Sequence, residues 1–208
     1  MIEVGKFETA EDAVDYALWV LAHADKSCGK RAAAREGFAL NPSAENTWSE
    51  PLVVFDIDAT VVTRESKPIA ATIKLLKRLR KARARIHLVT ARHPSIRQET
   101  IDELISVGIT PDLYDSLMIT PEADRKHMGA VGKWKENARR SIALQENSLI
   151  VLTIGDQWTD LVVVSSAEEM AELDSAFIGF GYCPKYVLVR PKDGISCLGL
   201  KLAYEERN

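Results

Sequence analysis

The sequence predicts an α/β fold, a parallel sheet sandwiched by helices, with a helical N-terminal extension over residues 1–50. Three observations carry that expectation. From Leu52 onward, apolar runs alternate with amphipathic stretches. The apolar runs are continuous rather than alternating, as in strands buried on both faces of a parallel sheet. Two of these runs end in carboxylates, and open parallel sheets bind ligands at the carboxyl ends of their strands.

The elements follow in chain order. A helix is expected from Thr9 to Ala24, with Thr9 as N-cap, Asp12 three residues on, and Ala13, Ala17, Val20 and Leu21 on one face. The polar, small-residue stretch that follows, broken by Pro42 and Pro51, reads as loop with at most one short helix. "PLVVFDI" is then a strand, and "KPIAATIKLLKRLRKA" a helix with Pro68 in its first turn. "RIHLVT" is a strand. "PSIRQETIDELISVG" is a helix opened by Pro94 and closed by Gly108. "YDSLMIT" is a strand, "GKWKENARRSIAL" a helix, and "NSLIVLTIG" a strand; "SAFIGF" and "YVLVR" are further short strands. The domain division is therefore an extension over 1–50 and a core over 51–208.

This topology concentrates polar groups at one rim. Asp56 and Asp58 end the first core strand, Thr90 ends the second, and Asp156 and Asp160 follow the fourth. Buried carboxylates are costly unless paired or bound to a cation. Four of them on one rim would repel one another at neutral pH, and hard oxygen donors left partly open suit Mg²⁺. His87, His93 and His127 form no ligand spacing; His93, directly after "TAR", is placed to line a pocket.

"DIDAT" matches the DxDxT signature of haloacid dehalogenase-like (HAD) phosphatases, and the chain resembles that superfamily further: a Thr ends the second strand, a Lys sits on a later helix, and "GDQWTD" follows the fourth strand. "LVTARHPSIRQETIDELISVGI", "SLMITPEAD" and "WKENARRSI" are similar to the acid phosphatase subfamily that includes plant vegetative storage proteins, subfamily IIIB. The resemblance covers about residues 50 to 165 and implies a Rossmann-like HAD core. That superfamily commonly inserts a cap domain between its motifs. Here the intervals Thr60–Thr90 and Thr90–Lys135 are filled by core elements, so no large cap domain is expected.

The resemblance implies the following roles. Asp56 is the nucleophile, forming an aspartyl-phosphate. Asp58 is the general acid and base, its proton held by neighbouring negative charge. Mg²⁺ is held by Asp56, the backbone carbonyl of Asp58, and Asp156. Asp160 sits on a metal-bound water or on the lysine. Thr90 and the Ala91 amide bind phosphate oxygens. The phosphate-binding lysine is Lys135, with Lys133 as the alternative and Lys126 also near.

Composition bounds the partners. A net charge of −3 over 208 residues excludes polyanion binding by bulk electrostatics. "KLLKRLRKARAR" carries seven basic residues in twelve and reads either as a polymer contact or as the solvated face of an amphipathic helix; no aromatics interleave to stack bases. No apolar run is long enough to span a membrane. An odd set of cysteines, Cys28, Cys183 and Cys197, with an acidic rather than basic start, suggests a reducing, cytoplasmic setting. The expected function is a Mg²⁺-dependent phosphomonoesterase acting on a phosphorylated small molecule or macromolecule. A storage or binding protein on the same scaffold, and a nucleic-acid end-phosphatase, are the alternatives. Homo-oligomerisation is left open.

Overall fold

The computed structural model of the chain describes residues 2–9, 11–16, 52–124, 128–146, 150–161, 186–190 and 196–202. Among them, seven strands form one sheet: β1 (Ile2–Phe7), β2 (Leu52–Phe55), β3 (Arg85–Thr90), β4 (Ser116–Ile119), β5 (Ile150–Gly155), β6 (Tyr186–Arg190) and β7 (Ser196–Leu202). Their order is β1-β6-β7-β5-β2-β3-β4. The run β7-β5-β2-β3-β4 is parallel, and β6 joins β7 and β1 antiparallel to both.

Alternation along β2 divides the core in two. Val53, Phe55 and Ile57 face one side, with Ile73, Leu75, Leu76 and Leu79 of helix α1 (Ala70–Lys81) and Leu104 of helix α2 (Arg97–Ser106). Leu52 and Val54 face the other, against Trp134, Ala138 and Ile142 of helix α3 (Met128–Gln145). The chain runs from β2 outward to β3 and β4, then returns over the opposite face to β5 on the far side of β2. The strand order therefore reverses between β2 and β5, and that switch point is where α/β sheets open a ligand crevice. The intervals after Thr60 and Thr90 hold core helices, strands and short turns among the described residues.

Residues 11–16 are helical, and Thr9 caps them: its Oγ1 accepts from the Asp12 amide at 3.1 Å. Ala13 and Val14 are fully buried against the α1 side of the core, and ion pairs Glu11–Lys74 and Asp15–Arg78 tie this segment to α1. The rest of the expected Thr9–Ala24 helix lies outside the described residues, as does "SAFIGF".

Three local readings are corrected. First, the expected helical extension begins with a strand: β1 joins the main sheet beside β6. A register shift between Glu3 and Gly5 breaks its period-two pattern, which hides the strand. Second, β7 is absent from the expected set, although Leu198, Leu200 and Leu202 alternate inward. Third, Pro68 lies before α1 rather than in its first turn; it bridges Val62 in a short hairpin, where Thr63 N–H donates to Lys67 O at 2.8 Å. Gly108 ends the α2 segment as expected, with φ of 81° and its amide on Ile105 O.

Candidate active site

Asp56 immediately follows β2, and its amide donates to Ile154 O of β5 at 2.9 Å, so sheet pairing continues to the carboxylate's own backbone. Alternation places it on the Leu52/Val54 side, under α3. There the Lys135 Nζ donates to Asp56 Oδ1 at 2.8 Å and also pairs with Asp160 Oδ1. Lys135 is 4% exposed and Asp56 5%, so this pair is shielded from water. Lys133, the alternative, bonds Glu136 at 2.8 Å with its side chain 64% exposed. The half turn that separates them on α3 decides which lysine enters the site. Lys126 lies outside the described residues.

Asp156 and Asp160 come from the segment after β5, where Gln157 precedes the helical turn α4 (Trp158–Leu161). Asp160 Oδ2 accepts from the Gln157 backbone N–H at 2.9 Å, the back-bond of an acidic residue at the third helical position. Gly155 makes this possible: a methyl group there would overlap the Asp160 side chain. Asp156 accepts from its neighbour's Gln157 Nε2 at 2.8 Å. Carboxylate oxygens of Asp56, Asp156 and Asp160 all lie within 4.8 Å of one another.

Burial, and then the Asp160 charge, push the Asp56 carboxyl well above the usual range; Lys135 opposes this without cancelling it. The same two causes push Asp156 up to about 6. Burial works against the Lys135 ammonium, but Asp160 and Asp56 outweigh it and hold its pKa above the ordinary lysine value. Three buried carboxylates thus share one ammonium, an arrangement short of positive charge. The donors are all oxygen, which fits a hard divalent cation.

Asp58 is placed differently from the expectation. The strand ends at Phe55. Beyond it the amides of Thr60, Val61 and Val62 all turn to Ile57 O, and Ala59 takes a φ of 55°. After this turn Asp58 meets Arg92, whose Nε and Nη2 reach Oδ1 at 3.0 and 2.7 Å. The Thr90 hydroxyl, which the sequence assigns to phosphate, donates to Asp58 Oδ2 at 3.2 Å and accepts from the Arg92 amide. Arg92 is in turn braced by Glu103 and, at 3.3 Å, by Thr100 of α2. So the neighbour of Asp58 is a guanidinium rather than another carboxylate. Ala91 lies half-buried between Thr90 and Arg92 at the end of β3. His93 pairs with Glu122 and, at 2.7 Å, with Ser95 Oγ.

Sequence reasoning therefore finds Asp56, Lys135, Asp156 and Asp160 as one constellation and misses Arg92 and Thr60. Thr60, the last residue of "DIDAT", lies 3.5 Å from Asp56 Oδ2, at the limit of a hydrogen bond. Arg92 meets Asp58 only through a contact between residues far apart in sequence, which no local pattern announces.

Four of the seven basic residues of the Lys74–Arg85 run pair within the fold: beyond the pairs of Lys74 with Glu11 and Arg78 with Asp15, Arg80 bonds Asp115 at 2.9 Å and Arg85, at the start of β3, pairs with Glu146. No helix among the described residues is long and apolar enough to cross a membrane.

Comparison with known proteins agrees with the chemistry of this rim. No curated protein matches the sequence. The class C acid phosphatase from Bacillus anthracis is a structural neighbour at 14% identity, covering 94% of this chain and 84% of that one, with a TM-score of 0.49. The family described as HAD superfamily, subfamily IIIB (acid phosphatase), matches residues 56–178, more than half of the chain. The matched span opens on Asp56 itself and takes in Lys135, Asp156 and Asp160, and the chain belongs to that family of phosphatases, phosphoric monoester hydrolases built on the HAD fold.

Proposed function

We propose that this phosphatase hydrolyses phosphate monoesters through an aspartyl-phosphate on Asp56, with Mg²⁺ as its cation. The observation that carries the proposal is the buried contact of Asp56 with Lys135 at the β2/β5 switch point, beside Asp156 and Asp160. With all four groups ionised, their charges leave an excess of two negative charges, which matches a divalent ion.

In the first half-reaction an Asp56 oxygen attacks phosphorus, the phosphorus–oxygen ester bond breaks, and Asp58 gives a proton to the departing alkoxide. In the second, water attacks the acyl phosphate, Asp58 takes the water's proton, and inorganic phosphate leaves with Asp56 restored. Lys135 keeps the Asp56 carboxylate oriented and balances the charge of the bound phosphate. Thr90 and the Ala91 amide hold equatorial oxygens, which requires the Thr90 hydroxyl to exchange Asp58 for phosphate. Asp160 positions Lys135. Asp56, the Asp58 carbonyl and Asp156 would hold Mg²⁺, which when bound screens the repulsion between carboxylate and phosphate dianion and orients in-line attack.

The ion pairs that occupy much of the α1 basic run favour a phosphorylated small molecule over a nucleic-acid end. Release of phosphate from an aryl phosphate tests the reading. Turnover should require Mg²⁺, stop on chelation, and leave a phosphorylated enzyme when quenched in acid. Undiminished turnover after exhaustive chelation would remove the cation from the mechanism. Failure to trap label on Asp56 in repeated quench experiments, with turnover intact, would remove the covalent step.

A further inference from the structure

Arg139 is among the largest fully buried side chains, at 1% exposure, and no step of the reaction above uses it. A buried guanidinium stays charged and costs several kcal/mol or more of desolvation unless it is well bonded. It lies one helical turn after Lys135 on α3, so both project from the same face of that helix. Its Nη1 donates to the carbonyls of Thr159 at 3.1 Å and Asp160 at 2.9 Å. Those carbonyls belong to α4, whose described residues end at Leu161, and Thr159 and Asp160 are both buried, where a backbone carbonyl needs a partner.

We propose that Arg139 is a positioning residue of the active site: it fixes the Gln157–Asp160 turn, and through that turn the places of Asp156 and Asp160 relative to Asp56 and Lys135. The turn is then held from three sides. Lys135 takes the Asp160 carboxylate, Arg139 takes the backbone beneath it, and Gly155 leaves the room into which the side chain folds. A lysine at 139 would offer a shorter side chain with a freely rotating ammonium, whereas the guanidinium fixes both Nη1 N–H bonds in its own plane. By contrast Arg140, the next residue, faces Glu136 at 3.0 Å.

The cation arm of the test rests on the metal reading above; the exchange arm does not. Arg139→Met, Arg139→Lys and Arg140→Met are compared with the parent in two measurements. The first is direct titration of the substrate-free protein with Mn²⁺, read by paramagnetic resonance. Arg139→Met should weaken binding by about 10- to 100-fold, the usual cost of losing a group that orients a ligand, Arg139→Lys by several-fold, and Arg140→Met not at all. The second is hydrogen exchange. Amides of residues 157–161 should exchange at least about tenfold faster in Arg139→Met, while those of β2 and β3 stay protected. A variant with a lowered melting temperature but parental Mn²⁺ affinity and a protected turn would make Arg139 an ordinary core residue and overturn the proposal. If Arg139→Met does not fold, Arg139→Lys decides by the same two readings, and parental values there overturn it equally. If the parent itself takes up no Mn²⁺, the cation reading falls, and exchange at the turn alone decides the role of Arg139.

Discussion

Two positions separate Asp56 from Asp58, yet one is buried on an ammonium and the other lies half-exposed on a guanidinium. Their variants should differ accordingly. Asp56→Asn should abolish turnover with the fold retained, since a carboxamide is no nucleophile here; activity within roughly tenfold of the parent would count against attack by Asp56. Asp58→Asn should lose about 10²–10⁴-fold with poor leaving groups and much less with good ones, because only the former need its proton. An equal loss across a leaving-group series would take the acid role from Asp58. Lys135→Ala should impair phosphate release far more than Lys133→Ala, which leaves Glu136 still paired with Arg140. His87 offers a test of stability. It is buried with Nδ1 2.7 Å from Ser116 Oγ, and burial lowers its pKa to about 4. The unfolded chain binds that proton below about pH 6.5, so the stabilisation is full above that value and is lost as pH falls toward 4. The loss is at most about 3 kcal/mol. His87→Gln should flatten the melting-temperature profile over this window; an unchanged slope would assign the acid sensitivity elsewhere.

At the level of elements, the segment after β5 is the most constrained piece of backbone in the site. Gly155→Ala should push Asp160 off Lys135 and cut turnover about 10- to 100-fold. Should steady-state rates stay at parental level, the turn has more freedom than its contacts suggest. The elements from β2 to β5 were legible because each carries its own local signal: continuous apolar runs, Pro94 opening and Gly108 closing the α2 segment, and an apolar stripe on α1. The carboxylate rim was legible for a topological reason, since parallel strands must deliver their carboxyl ends to one side. What stayed hidden depends on contacts across the chain. Nothing local tells that Arg92 would claim Asp58, and a basic pair on a helix reads as solvated, although Arg139 is buried. β1 has a broken period and finds its strand partner among the described residues in β6, far along the chain. In β7 the alternation of Leu198, Leu200 and Leu202 was present, but Gly199 and Lys201 between them make a weak strand signature.

For the molecule as a whole, the acidic cluster sets a balance between stability and readiness. Asp156, raised to about 6 from an ordinary 3.8, favours the protonated form in the fold. Its stabilising contribution is therefore complete below about pH 4 and is lost as pH climbs through 6. A divalent cation should reverse that loss, so the rise in melting temperature on adding Mg²⁺ should be several degrees larger at pH 7.5 than at pH 4.5. Equal rises at both pH values would indicate a cation held somewhere else. The sheet's edge has a different kind of consequence. Ile2 pairs with Arg190 and Phe7 with Tyr186, so β1 waits for a strand translated after β2, β3, β4 and β5, and β5 likewise waits for β7 beside Gly155. Until then the nascent polypeptide leaving the ribosome carries unpaired strand edges, a state prone to mispairing and dependent on chaperones. Folding through such distant pairings is slow. Asp56, which follows β2, is thus made long before β7 pairs with β5 and completes the sheet beside it.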